Sequence, residues 1–213
     1  MISASVCNAA VTAATLTLAP GVATTSTFAG VLSGNLGIVK TGAAALTLTG
    51  DNVFTGAVSV TGGTLAAGSN TALSGAAVTV DGGTLDLTAT TGAGIANLVT
   101  LTSGSLTGGK IALSQVTLVA GTVSTELTGP AGLAKTANTA LTLNAANTFG
   151  GGVSVSDGTL NVGNDAALGT GDLTVTGGVV NLGTSKVGNT VFLNGGTISG
   201  GTINLATTKT LTA

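Results

Sequence analysis

Two segments of the chain share one pattern without a gap, and that duplication narrows the architecture more than any other feature. "IVKTGAAALTLTGDNVFTGAVSVTGGTL", Ile38 to Leu65, returns as "LAKTANTALTLNAANTFGGGVSVSDGTL", Leu133 to Leu160. The offset is a constant 95 residues, pairing Lys40 with Lys135, Leu46 with Leu141 and Phe54 with Phe149. The register holds through Val80 and Val175 and fades near Leu87 and Leu182, so the duplicated units lie near residues 38–87 and 133–182.

Inside each unit a shorter motif recurs: an alternating strand, a glycine-bearing turn and another strand, as in "AVSVTGGTLAA", "AVTVDGGTLDL", "VSVSDGTLNV", "LTVTGGVVNL" and "VFLNGGTISG". The last apolar residue before each turn falls at Val60, Val80 and Leu101, then at Val155, Val175 and Leu193, giving steps of 20, 21, 20 and 18. Short strands at a period near twenty indicate a solenoid. In "ALTLTG" Leu46 and Leu48 point one way and Thr47 and Thr49 the other, because successive Cβ atoms alternate along a strand. A lone coil cannot bury its apolar face, whereas stacked coils share one interior and pair every backbone group with the coils above and below. Glycines at the corners (Gly62, Gly63, Gly82, Gly83, Gly177, Gly178) permit the tight turns, and Pro20 and Pro130 stay outside the strands.

The expected fold is therefore all-β, a single β-solenoid domain over residues 1–213 with roughly ten coils of about 20 residues. "TTGAGIAN", Thr90 to Asn97, and the stretch from Ser124 to Ala131 are expected to be loops bridging repeats.

Composition then excludes function classes. The chain has 5 lysines, no arginine and no histidine against 7 acids, for a net charge of −2, so a phosphate backbone finds no basic patch and no nucleic-acid partner is expected. With 43% apolar residues in short alternating runs, disorder is not expected. No apolar run approaches the roughly 18 residues of a membrane span, and the chain is expected to be soluble. Cys7 is the only cysteine, which rules out an internal disulfide and a CxxC metal site; without histidine to activate it, it reads as a small hydrophobe or an incidental residue. "MISASVCNAAVTAATLTLAP" has no basic n-region or solid apolar h-region, so either any export signal lies outside this segment or the chain is not exported alone.

The quoted repeats resemble the autotransporter-associated β-strand repeat of type V secreted bacterial surface proteins. The resemblance rests on Lys-Thr before the first strand (Lys40-Thr41, Lys135-Thr136), the Leu-Thr-Leu strand, Asn-x-Phe (Asn52 to Phe54, Asn147 to Phe149) and the later Gly-Thr-Leu. It implies a right-handed parallel β-helix displayed outside the cell or on a bacterial surface, as a passenger, adhesin, stalk or spacer. It implies no enzymatic activity, and a host or other surface ligand as partner.

The remaining candidates for chemistry are few. The acids Asp51, Asp81, Asp86, Glu126, Asp157, Asp165 and Asp172 are scattered, with Asp81 and Asp157 at glycine corners, so no catalytic pair, metal site or cofactor site is expected. The four phenylalanines are the only aromatic residues, and Phe54 and Phe149 are expected to stack inside. Outward hydroxyls recur as Thr15 and Thr17, Thr47 and Thr49, Thr100 and Thr102, and Thr174 and Thr176, with Thr142 beside Asn144. These nine threonines are the candidate binding surface, and their array supports an alternative reading as an ice-binding solenoid. Threonine also suits any exposed strand face. Neither terminal sequence shows an obvious cap, so end-to-end stacking into a homo-oligomer or filament is expected.

Overall fold

The computed structural model describes residues 4–21, 25–204 and 211–212. It is all-β, with no α-helix among the described residues, and packing divides the chain into two compact units, Met1–Ile111 and Ala112–Ala213. Each is a parallel β-solenoid.

In the first unit three parallel ladders run along the stack. Ladder I joins Val6–Asn8, Leu32–Gly34 and Val53–Phe54. Ladder II joins Ala14–Leu18, Leu36–Lys40, Val58–Val60, Val78–Val80 and Val99–Leu101. Ladder III joins Ser26–Phe28, Ala45–Leu48, Thr64–Ala67, Thr84–Asp86 and Ser105–Ala112. Alternation does what the pattern requires: Leu46, Leu65, Leu85 and Leu106 align in one buried row, as do Ile38, Val58, Val78 and Val99. Backbone N–H groups meet carbonyls about one coil away, as Val58 meets Ala77 (2.9 Å) and Thr84 meets Gly63 (2.8 Å), so the core forms between coils and not within one.

The second unit repeats the plan. Ladder IV joins Gly121–Thr128, Ala140–Leu143, Thr159–Val162, Val179–Asn181 and Thr197–Ser199. Ladder V joins Leu133–Lys135, Val153–Val155, Leu173–Val175, Val191–Leu193 and Leu211–Thr212. The corner glycines turn as expected, with Gly82 at φ 99° and Gly178 at φ 65°.

Thr90 to Asn97 lies outside the strands, tied down by the Asn97 amide, which donates to the carbonyls of Leu73 (3.2 Å) and Ala76 (2.7 Å). The expected loop at Ser124 to Ala131 is corrected: Ser124 to Thr128 continue the eight-residue strand from Gly121. Val123, Thr125 and Leu127 face inward there, and the polar Thr125 in the middle of the alternation hid the strand.

Candidate functional site

The motif residues that carry the resemblance face the interior. Lys40 and Lys135 close their strands in the inward rows beside Val60 and Val155, and both are 0% exposed. A buried ammonium needs acceptors. Lys40 Nζ donates to the carbonyls of Thr41 (2.6 Å), Gly42 (2.9 Å) and Gly62 (2.9 Å). Lys135 Nζ donates to the Ala137 carbonyl and to Thr139 Oγ1 (3.3 Å). Burial lowers both lysine pKa values below the ordinary 10.5, and at Lys135 the nearby Asp157 carboxylate partly opposes that shift.

The asparagines form the second internal fastening. Asn52 Oδ1 accepts from the Leu32 N–H (2.8 Å) while Nδ2 donates to the Ala72 carbonyl (2.6 Å), so one side chain clasps the coils before and after it. Asn147 does the same with Leu127 (2.9 Å) and Ala167 (2.6 Å). Phe54 and Phe149 are buried, at 2% and 0% exposure. The phenylalanine position was legible from sequence. The lysine role was not, although the alternation Leu36, Ile38, Lys40 places the ammonium on the inward face.

The acids serve the surface of the stack. Thr71 Oγ1 donates to Asp51 (2.6 Å), Ser103 Oγ to Asp81 (2.8 Å), Thr148 Oγ1 to Glu126 (3.1 Å) and the Lys186 N–H to Asp165 (2.8 Å), each linking residues 20 to 22 apart. Asp86 accepts from the N–H and hydroxyl of Thr88 (2.9 and 2.6 Å), and Asp157 from the Gly158 N–H (2.7 Å). Among the described residues no three His, Cys, Asp or Glu side chains gather as a metal site. Cys7 is exposed on its strand.

The threonine candidates divide within each unit. Thr15, Thr17 and Thr100 lie on ladder II, with Thr102 just beyond it, and Thr47 lies on ladder III with Thr49 just beyond. In the second unit Thr142 lies on ladder IV and Thr174 on ladder V, followed by Thr176. On ladder II the outward row runs Thr17, Val39, Ser59, Thr79, Thr100, so Thr79 joins the candidates. On ladder IV Thr142 begins a side-chain chain: Asn161 Nδ2 donates to Thr142 Oγ1 (3.3 Å) and Asn181 Nδ2 to Asn161 Oδ1 (3.2 Å).

The outer face of ladder V carries a concave feature. A groove of about 620 Å³ runs over the starts of its first three strands. Its floor is the bare backbone of Gly132, Gly150, Gly151, Gly152 and Gly171, and Ala134, Ser154, Thr174 and Asp172 stand around it. Phe192 aligns with Thr174 one coil further on, in the outward row Ala134, Ser154, Thr174, Phe192. Phe192 is half-buried on that face, and sequence reading had passed over it; its place between the inward Val191 and Leu193 in "VFL" signals an outward ring.

Stacked parallel coils fastened internally by lysine, asparagine and phenylalanine define a parallel β-solenoid. Residues 38–67 and 133–162 match the passenger-associated-transport-repeat, so the chain carries two copies of that repeat. It is 36% identical over 136 residues, 63% of its length, to a protein of Brucella suis biovar 1 (strain 1330) named adhesin BmaC autotransporter. The match spans 4% of that relative's length. No solved structure matches the chain.

Proposed function

We propose that the chain is an extracellular, adhesin-type, non-enzymatic segment of a bacterial surface protein, a stiff scaffold that presents its outer faces to a surface ligand. The observation that carries this reading is the division of labour in the repeat. Its most specific residues (Lys40, Asn52, Phe54 and their counterparts) are buried fastenings, which leaves small, mostly uncharged side chains outside. The named adhesin among its relatives supports the adhesive part.

The scaffold reading extends to end-to-end stacking. Among the described residues Val6–Asn8, Ala14–Leu18 and Ser26–Phe28 each lie at the outer edge of their ladders, and Leu16 is only half-buried where Ile38, its neighbour in the row, is fully covered. An unpaired strand edge templates another strand. Growth of the sedimentation coefficient with concentration is the expected result, and a concentration-independent monomer would contradict it.

The adhesive reading is tested with beads coated with the purified chain and presented to cultured epithelial cells, beside albumin-coated beads. Attachment well above albumin is expected; equal attachment would remove the adhesive part. The outward threonines, Thr15, Thr17, Thr47, Thr49, Thr100, Thr102, Thr142, Thr174 and Thr176, are proposed contributors to that contact. Changing Thr17 and Thr100 to Lys should reduce attachment, because it places charge on a face otherwise rich in hydroxyls.

A further inference from the structure

We propose that the ladder V groove of the second unit is a binding site for a neutral glycan, with the Phe192 ring as stacking platform and Asp172, Ser154 and Thr174 as hydrogen-bonding groups. The inference deepens the adhesive reading by naming a ligand class, and it rests on that reading only for its biological use.

The two copies of the repeat supply the argument. With the constant offset of 95, Gly150 stands where the first copy has Thr55, Gly152 where it has Ala57, Ala134 where it has Val39 and Gly171 where it has Ala76. The changes at Val39, Thr55 and Ala57 trim outward side chains, while Ala76 is buried in the first copy. In the opposite sense, Asp172 replaces Ala77 and adds the groove's one charged side chain.

Packing explains some of these glycines but not all. A Cβ on Gly151 would collide with the Gly132 backbone, and one on Gly171 with the Gly152 backbone, so both are needed for close approach of the coils. Gly150 is different. The nearest atom to a Cβ there is Thr170 Oγ1 at 3.9 Å, its φ is not in the left-handed region, and the residue is exposed. The fold would accept a side chain at Gly150, as it accepts Thr55 in the first copy, and adding one there would fill the groove.

The chemistry of the lining selects the ligand. Ser154 and Thr174 both donate and accept, the Asp172 carboxylate accepts from paired hydroxyls, and the exposed floor adds peptide groups. An aromatic ring offers an apolar face to the C–H side of a sugar, and Phe192 lies one strand spacing, roughly 4.8 Å, from Thr174. The lining carries a carboxylate and no cation, which favours a neutral sugar over a sialylated or sulfated one.

The test uses the full chain and saturation-transfer NMR with lactose, N-acetyllactosamine, chitotriose and maltotriose, with sialyllactose as the anionic probe. At least one neutral probe is expected to bind, with sialyllactose weaker. Gly150→Trp should abolish the signal, and Phe192→Ala and Asp172→Asn should each weaken binding about tenfold or more. Thr55→Trp, the same change in the first copy, should leave binding unaltered, and all four variants should keep the wild-type melting curve. The proposal is overturned if none of the four neutral probes binds, if sialyllactose alone binds, or if binding survives Gly150→Trp. Bead attachment that persists while no oligosaccharide binds would remove the glycan site and leave the adhesive reading standing.

Discussion

The first and second copies of the repeat agree inside and differ outside. Lys40, Asn52 and Phe54 have buried counterparts in Lys135, Asn147 and Phe149, and both asparagines clasp the coils on either side in the same way. On the outer face Val39, Thr55, Ala57 and Ala77 give way to Ala134, Gly150, Gly152 and Asp172. An inward side chain must fit two neighbouring coils at native packing density, whereas an outward one touches only its own row. One interior detail also varies: Lys40 donates to the Gly62 carbonyl, while the residue equivalent to Gly62 is Asp157, whose carboxylate acts on Lys135 by charge.

The comparison breaks most visibly if the shared interior is not equally important in both copies. Phe149→Ala and Phe54→Ala should each cost about 3–5 kcal/mol in urea denaturation, the range for a large aromatic removed from a packed core. A near-zero cost at one of them would end the equivalence. Asn52→Ala and Asn147→Ala each strand an amide N–H and a carbonyl, for about 1–3 kcal/mol per group that water does not reach. Amide hydrogen exchange should then quicken at Leu32 and at Leu127 respectively.

A smaller effect of opposite sign is expected at Thr125, whose buried hydroxyl has no hydrogen-bond partner among the described residues. Thr125→Val should be neutral or stabilise by up to about 1 kcal/mol, read from the denaturation midpoint. The smallest effect is in pH. With the folded pKa of Lys40 and Lys135 below 10.5, the unfolded chain binds more protons between the folded pKa and 10.5. Stability gained from this source therefore rises with pH across that window and is flat below it. Lys40→Met and Lys135→Met should each remove part of the slope, and Asp157→Asn should steepen the part belonging to Lys135. A slope unchanged in both lysine variants would contradict buried ammonium groups.

Much of the architecture is readable from alternation and period alone, because inward rows such as Leu46, Leu65, Leu85 and Leu106 repeat at one-coil spacing. Reading fails where polarity contradicts position. Lys40 and Lys135 occupy apolar rows, and Thr125 sits mid-strand in a stretch whose polarity predicts a loop. The groove was not legible either, since it arises from several glycines on different coils that meet only once the register is known. The threonines were visible one by one, but their assignment to ladders depends on where each corner falls, which spacing alone does not fix.

The most direct test of the central claim, that the residues marking the repeat are interior fastenings, is amine labelling of the native protein read by peptide mass spectrometry. Lys110 and Lys186 are exposed and should react promptly, while Lys40 and Lys135 should stay protected until denaturant unfolds the chain. Labelling of Lys40 and Lys135 at the rate of Lys110 and Lys186 would place the signature lysines on the surface and contradict the account.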